Sequence, residues 1–348
     1  MKMKIILSII TILFISITVK AQHMDMMMSD RPDAHAPICI MQDHCHGKGQ
    51  WMFAYRYMPM WMSGNLSGSK NIGNSEIFTK YGHAAQSMTM QMHMVDVMYG
   101  LSNHVTLMVM GNYYDKKMNS LMDMSGMGMP DMPFSTKSNG FGDISLSGLI
   151  RLVDKHRQMV HAIVGVSIPA GSISKQAPAD NMMKGTLDYP MQMGSGTWDP
   201  LLGAAYMGQS DMFTWGAQAK YNFRFGKNHA DYRLGNEFNS DVWFAVKANK
   251  YVSFSGSLQY INSDKIVGAD NSITEPMMMP STDPQNSGQD LLNAGIGCNF
   301  YVPKGMFKNL RFGVAYELPI YRHVTGIQMK TTNTLSVGIQ YVIGDLGM

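Results

Sequence analysis

The connections in this chain constrain its fold more than any single segment does. Strand-like runs recur about twelve times, at roughly 51–62, 88–99, 105–114, 142–153, 158–168, 199–208, 212–225, 233–247, 251–262, 291–302, 310–320 and 332–343. The stretches between them alternate in length. Ser63–Ser87 is long, Gly100–His104 short, Asp115–Phe141 long, Asp154–Arg157 short, Pro169–Trp198 long and Gln209–Asp211 short. The order weakens at Gly226–Tyr232. It resumes through a short Asn249–Lys250, a long Ser263–Asp290, a short Pro303–Asn309 and an intermediate Tyr321–Thr331. A sandwich with Greek-key connections has no reason to sort its loops by parity. An up-and-down barrel in an outer membrane does, because its periplasmic turns are short and its extracellular loops long.

The runs themselves carry the period of strands, in which successive side chains point to opposite faces. In Trp51–Met62, Trp51, Phe53, Tyr55, Tyr57 and Trp61 share one side, and Arg56 shares the other with Met52, Met58, Met60 and Met62. Ile144, Leu146, Ile150 and Leu152 oppose Ser145, Ser147 and Arg151, and Phe213, Trp215, Ala217 and Ala219 oppose Thr214, Gln218 and Lys220. On 105–114, Val105, Leu107 and Val109 read as lipid-facing, with Thr106, Met108, Met110 and Asn112 inward. Two residues disturb the pattern. Pro59 lacks a ladder donor and predicts a bulge or early break. Asp96 lies on the same face as Met88–Met94, where a bulge would be needed to turn it away. The expected fold is all-β, a transmembrane up-and-down antiparallel β-barrel of about 12 strands, between the size that side chains fill and the size that leaves a wide water channel.

The ends of the chain agree with export. Lys2 and Lys4 precede an apolar run, Ile5–Val19, and small residues at Val19-Lys20-Ala21. This reads as a signal peptide over 1–21, cleaved after Ala21. As a membrane anchor the run is short of the roughly 20 residues that a spanning helix needs. Residues 22–50 form an irregular segment rich in Met, His and Cys, and 51–348 the barrel. The signal holds three of the 28 Lys and Arg, so the mature chain is balanced against its 25 Asp and Glu, and nothing suggests nucleic acid. The expected partners are outer-membrane lipid, a small solute or metal ion, and the barrel-assembly machinery. The setting is the outer membrane of a Gram-negative bacterium.

Several segments resemble a family of outer-membrane transporters known as "meta-pathway of phenol degradation" proteins. They are APICIMQDHCHGKGQWMFAYRYM (36–58), TMQMHMVDVMYGLSNHVTLMVM (89–110), SNGFGDISLSGLIRL (138–152), SIPAGSI (167–173), YPMQMGSGTWDPLLGAAYMGQ (189–209) and YRLGN (232–236). The resemblance implies a barrel and transport across the outer membrane, but no substrate. Where the family usually has Met, this chain has Cys45, so a thiol role there would be its own.

Three groups of residues could carry metal chemistry, the third being a lumen lined by the inward thioethers of Met58, Met60, Met108 and Met110. His35, Cys39, Met41, Asp43, His44, Cys45 and His46 crowd the N-terminal segment. Imidazole, thiolate and thioether suit Cu(I), Ag(I) or Zn(II), although the spacing is not that of a zinc finger. The alternative is a Cys39–Cys45 disulfide clip or a structural cluster closing the barrel floor. The second group is methionine, 37 in the chain, with Met118, Met122, Met124, Met127, Met129 and Met132, and Met277, Met278 and Met279, in expected loops. Read as exposed thioethers, they could wrap a soft cation. Read as composition, Met is a default apolar residue of this lineage. Catalysis finds no Gly-x-Ser-x-Gly elbow and no His-Glu-x-x-His; Ser195 in GSGTWDP reads as a turn residue. The cofactor candidates are those same ions, Cu(I), Ag(I) or Zn(II), and no other is suggested. The candidate functions are a channel or transporter for small solutes with a link to copper or other soft metals, a metal-sequestering protein that does not conduct, and, last, an outer-membrane hydrolase.

Overall fold

A computed structural model describes residues 29–177, 185–273 and 278–344. Its strands are β1 (Trp51–Gly68), β2 (Lys70–Ile72), β3 (His83–Gly100), β4 (Val105–Met122), β5 (Met132–Phe141), β6 (Ile144–Lys155), β7 (Gln158–Ile168), β8 (Asp199–Gln209), β9 (Phe213–Asn222), β10 (Tyr232–Arg233), β11 (Glu237–Lys247), β12 (Val252–Ser263), β13 (Val267–Gly268), β14 (Gln289–Tyr301) and β15 (Leu310–Ile343). Eleven of them close a barrel in the order β1-β3-β4-β6-β7-β8-β9-β11-β12-β14-β15, with β15 returning to β1. Every pairing in the ring is antiparallel. β2 and β5 extend β1 and β4 beyond the ring, and β10 pairs with β13 apart from it.

The twelve expected walls and the eleven elements are reconciled in β15. It has 34 residues and, fully extended, would be about 110 Å long. Its residues Arg311–Val324 run antiparallel to β14, and Val324–Ile343 run antiparallel to β1. Gly326 supplies a φ of +69° between the two stretches, a conformation that glycine adopts without a Cβ penalty. Arg322 Nε donates to the Thr331 carbonyl across the fold at 2.8 Å. The element therefore doubles back and serves as two walls.

The lipid face is continuous. Trp51, Phe53, Val95, Leu107, Val109, Leu146, Leu202, Val242, Phe254, Ile296 and Leu318 are all exposed, as a barrel surface in hydrocarbon requires. Aromatic rings cluster where the short turns begin: Trp51 lies 4.4 Å from Tyr99, and Phe213 stacks on Phe244 at 5.4 Å between centroids. The short turns 101–104, 210–212 and 248–251 share this end with residue 50.

Two local expectations are corrected and a third, at Pro59, is met on one side of its strand. β1, β3 and β4 are each 18 residues long, so much of the expected loops 63–87 and 115–141 is strand projecting past the membrane. The β4–β5 ladder sustains it as far as Met122↔Met132. Around Pro59 the expected break occurs on one side only: toward β15 the pairing lapses at Met58 and Pro59 and the register shifts after Trp61, whereas the β1–β3 register runs unbroken from Trp51↔Tyr99 to Ser63↔Ser87. Asp96 is not turned away by a bulge. It faces inward in an unshifted register because Arg56 meets it there.

Candidate functional site: the occupied lumen

Both ends of the lumen are filled. At the end of the short turns, residues 29–50 thread inside without regular structure, and Arg31 through Ile40 are all buried. A backbone so placed must find partners away from water, and the inward faces of the strands provide them. Arg56 on β1 donates from Nε to the Ile38 carbonyl at 3.2 Å. Gln218 on β9 donates to the Gln42 carbonyl at 3.0 Å, and His161 Nε2 on β7 lies 2.9 Å from the same oxygen. The His46 amide donates to Thr106 on β4, and Arg311 on β15 donates to the Arg31 carbonyl at 2.7 Å. Asp33 accepts from Thr214 and pairs with Arg31 at 2.5 Å. On its apolar side, Ala36, Ile38, Cys39 and Ile40 pack against Met159, Met207, Trp243 and Ala315. The walls leave room for this plug. A Cβ on Gly313 or Gly338 would stand 2.8 or 2.9 Å from Ile38, and one on Gly100 would stand 1.8 Å from the Gly47 carbonyl oxygen.

The opposite end is closed by loops. Leu187, Met191 and Met279 pack on Ala85, Met88 and Met118. Lys116 Nζ donates to the carbonyls of Pro190 and Gln192 at 2.9 and 2.6 Å. The GSG motif seats itself on the glycine of SIPAGSI: a Cβ on Gly171 would lie 2.7 Å from Gly194. Asp143 accepts from the Ser195 amide and hydroxyl, each at 2.8 Å. Thr197 and Arg224 both reach Asp199. Ser195 is thus a buried structural hydroxyl, 2% exposed, with a carboxylate and no imidazole beside it among the described residues. Sequence reading missed this Asp143–Ser195 junction, although the glycines in both segments were its signal: only residues without a Cβ pack this closely.

The structure brings His35, His44 and His46 together and separates the other expected ligands. His35 stacks on His44 with centroids 3.8 Å apart, and His44 meets His46 edge-on at 4.9 Å. With Cys45, Arg311 and Tyr301 they line a small pocket. Asp43 orients His44 through Nδ1 at 2.8 Å, while Gln340 takes His35 Nδ1 at 3.0 Å. Among the described residues no three His, Cys, Asp or Glu side chains converge as a cation would need, since stacked rings present faces to each other rather than lone pairs to a centre. Cys39 faces the apolar side of the plug, and all three cysteines are free thiols, so the Cys39–Cys45 clip is not formed. Met41 is half-buried at the plug's turn.

The expected loop methionines divide. Met118 lies in β4, 1% exposed, and Met279 is fully buried in the outer closure, with Met278 packed beside it. Met122 ends β4, half-buried, and Met124 precedes the turn in which Met127 and Met129 are exposed. Met132 begins β5. Met277 lies outside the described residues.

Protonation bears on the plug. Burial, then the nearby His44, pushes His46 down to about 3. Burial, then Arg311 and His44, holds His35 well below its ordinary value. Both rings are therefore neutral when docked, and a released segment would titrate near 6.5. The docked state binds fewer protons, so docking weakens as pH falls below about 6.5, by up to about 1.4 kcal/mol per histidine per pH unit. Asp43 and Gln340 oppose the shift at His35, and Asp43 and Gln50 oppose it at His46. Asp43 is held below the usual carboxylate range against its own burial, chiefly by His44; it joins the same trend only below about pH 4. Protease accessibility of residues 29–50 in the folded barrel is expected to rise at least tenfold (a rough floor) between about pH 7.5 and 5. An unchanged value would remove these histidines from the control of docking.

A closed antiparallel ring with an apolar belt, aromatic girdle and occupied lumen defines an outer-membrane barrel. The chain belongs to the MetA-pathway of phenol degradation family, whose model matches residues 99–319. Among solved structures it is similar to the COG4313 outer membrane channel from Pseudomonas putida F1, with 12% identity over 87% of this chain and 99% of that one, at a TM-score of 0.56. The toluene transporter TbuX of Ralstonia pickettii shares 11% identity over 90% and 92% of the two chains, at a TM-score of 0.43. A FadL homologue of Pseudomonas aeruginosa shares 9% over 89% and 92%, at 0.39. No curated protein matches the sequence.

Proposed function

We propose that this protein is a passive outer-membrane channel or transporter for small solutes, with its own N-terminal segment as the inner gate. One observation carries the reading. Residues 29–50 fill the lumen yet contribute no strand to the ring; Gly49 and Gln50 exchange backbone hydrogen bonds with Gly100, and the residues before them can leave without breaking a ladder. Export by a signal at 1–21 and insertion by the barrel-assembly machinery belong to the same proposal, as do lipid and a small solute or metal ion as partners. The test is solute uptake by liposomes holding the purified mature chain, whose N-terminus is expected at Gln22. Absence of both uptake and bilayer conductance, across the pH range above, would end the channel reading.

The second reading is a protein that holds Cu(I), Ag(I) or Zn(II) without conducting. His35, His44, Cys45 and His46 line one pocket, and the reading requires the stacked imidazoles to turn apart before they could share an ion. Metal binding lost on replacing His44 and His46, with no flux in liposomes, is its signature.

A further inference from the structure

The strand register sorts the methionines in a way that composition does not explain. Inward positions of β1, β3 and β4 fall into six cross-strand rows. The innermost row is Met52, Met98 and Met108, each 1% exposed. The outermost is Met62, Met88 and Met118. Between them Met60 faces Met90 in a row that Lys116 completes, and Met58 faces Met92 in a row that Tyr114 completes; the Lys116 ammonium is held by the Pro190 and Gln192 carbonyls of the outer closure. Met94 joins Arg56 and Asn112 in one remaining row, and Met110 joins Ala54 and Asp96 in the other. Every row holds at least one thioether, and neighbours in a row have Cβ atoms about 4.5–5.5 Å apart. Ten residues separate the end rows along each strand, about 33 Å, which at a barrel's strand tilt of about 40° is roughly 25 Å of height, the depth of the apolar band.

The other face of the same strands carries no methionine. Odd positions from Trp51 to Trp61, from Ser87 to Tyr99 and from Val105 to Lys117 are aromatic, aliphatic or polar. A chain that used Met as a default apolar residue would place it toward lipid too, where Val95, Leu107 and Val109 stand instead. The facing wall of the lumen is not apolar either: Ser255, Ser257 and Gln259 of β12 and Asn293 of β14 share it. The sulfur track also continues at both ends. Outside, Met191, Met278, Met279 and Met329 extend it. Inside, Cys45 packs on the innermost row and adjoins the imidazoles of the plug.

We propose that the β1–β3–β4 wall is a conduction track for a soft monovalent cation, Cu(I) or Ag(I), handed along neighbouring thioethers. Soft sulfur ligands select such ions over hard cations. Closely spaced and repeated weak sites let an ion enter and leave. The inference rests on the channel reading and names its substrate class.

The test uses the full mature chain with Ag(I) as probe. A variant carrying Met58→Leu, Met60→Leu, Met90→Leu and Met92→Leu keeps side chains of similar volume and removes the sulfur at mid-height; its heat-modifiable migration verifies the folded barrel. In liposomes, the ratio of Ag(I) to Na(I) uptake is expected to fall at least about tenfold from the wild type to the variant. In detergent, Ag(I) titrated against a competing chelator is expected to bind the wild type and to bind the variant at least about tenfold more weakly. Equal ratios and equal binding overturn the track and leave an apolar lining suited to uncharged solutes. Sulfur-dependent binding with no uptake of either ion overturns conduction along the track and returns the wall to a storage role, while the channel reading stands or falls separately on its own solute test.

Discussion

A mature chain that lacks residues 29–50 is expected to assemble as the same barrel and to conduct at least about tenfold more than the intact protein. The ring does not need the plug. β1 begins at Trp51 and pairs with β15 from Trp51↔Ile343 onward and with β3 from Trp51↔Tyr99 onward. What the plug leaves behind is a set of inward donors, among them Arg56, Gln218 and Arg311, which water can satisfy. The apolar surface lost is the side packed on Met159, Met207, Trp243 and Ala315, so the variant should also unfold at lower denaturant concentration. The inner closure should limit flux because it is made of backbone tied to many walls. The outer closure leans on methionine side chains such as Met191 and Met279, and these change rotamer easily. Single-channel recordings decide it: conductance equal to that of the intact chain would show that the loops at 187–193 and 278–282 set the barrier.

The barrel was legible because its evidence is local and repeated. Alternation decides which side chains face lipid, and Ile144 to Leu152 or Thr214 and Gln218 fall on the faces their period assigns. Loop parity added direction. Strand ends were less legible: Asp115–Met122 is polar enough to read as loop, but a cross-strand ladder to β5 sustains it beyond the membrane. The plug was legible only as one alternative, a structural cluster closing the barrel floor. Its residues Ala36, Ile38 and Ile40 have no period, and their burial depends on Gly313 and Gly338, nearly three hundred residues away in the chain. The methionines misled for a related reason. Met118 and Met279 sit in segments that read as exposed loops, and only register and loop closure reveal that they face the lumen. The chemistry of His35, His44 and His46 was visible as residue types, whereas stacking rather than convergence is a property of the fold.

Asp96 was the residue that alternation could not accommodate, and its partner explains it. Arg56 and Asp96 are 2% and 0% exposed, set among Met52, Met94 and Met98 on the neighbouring inward positions. Burying two charges costs more than their attraction returns unless further hydrogen bonds help. Arg56 gains one, to the Ile38 carbonyl of the plug. Arg56→Ala removes both contacts and leaves a carboxylate facing thioethers, with an expected cost of about 3–5 kcal/mol in unfolding free energy. Asp96→Ala leaves a guanidinium with one carbonyl and should cost somewhat less. Arg56→Met with Asp96→Met replaces the pair by side chains of the surrounding type, and the double change should recover most of the loss, giving a coupling of about 2 kcal/mol or more. The cycle is read from urea unfolding in detergent. Additive losses would mean that the two charges are stabilised separately. A second readout separates anchoring from stability. The double variant, although stable, has lost the donor that holds Ile38, so its plug should release more often and its open probability should exceed that of the wild type. A double variant as tightly closed as the wild type would show that Gln218, Thr106 and Arg311 suffice to hold the segment, and that Arg56 is in the lumen for Asp96 alone.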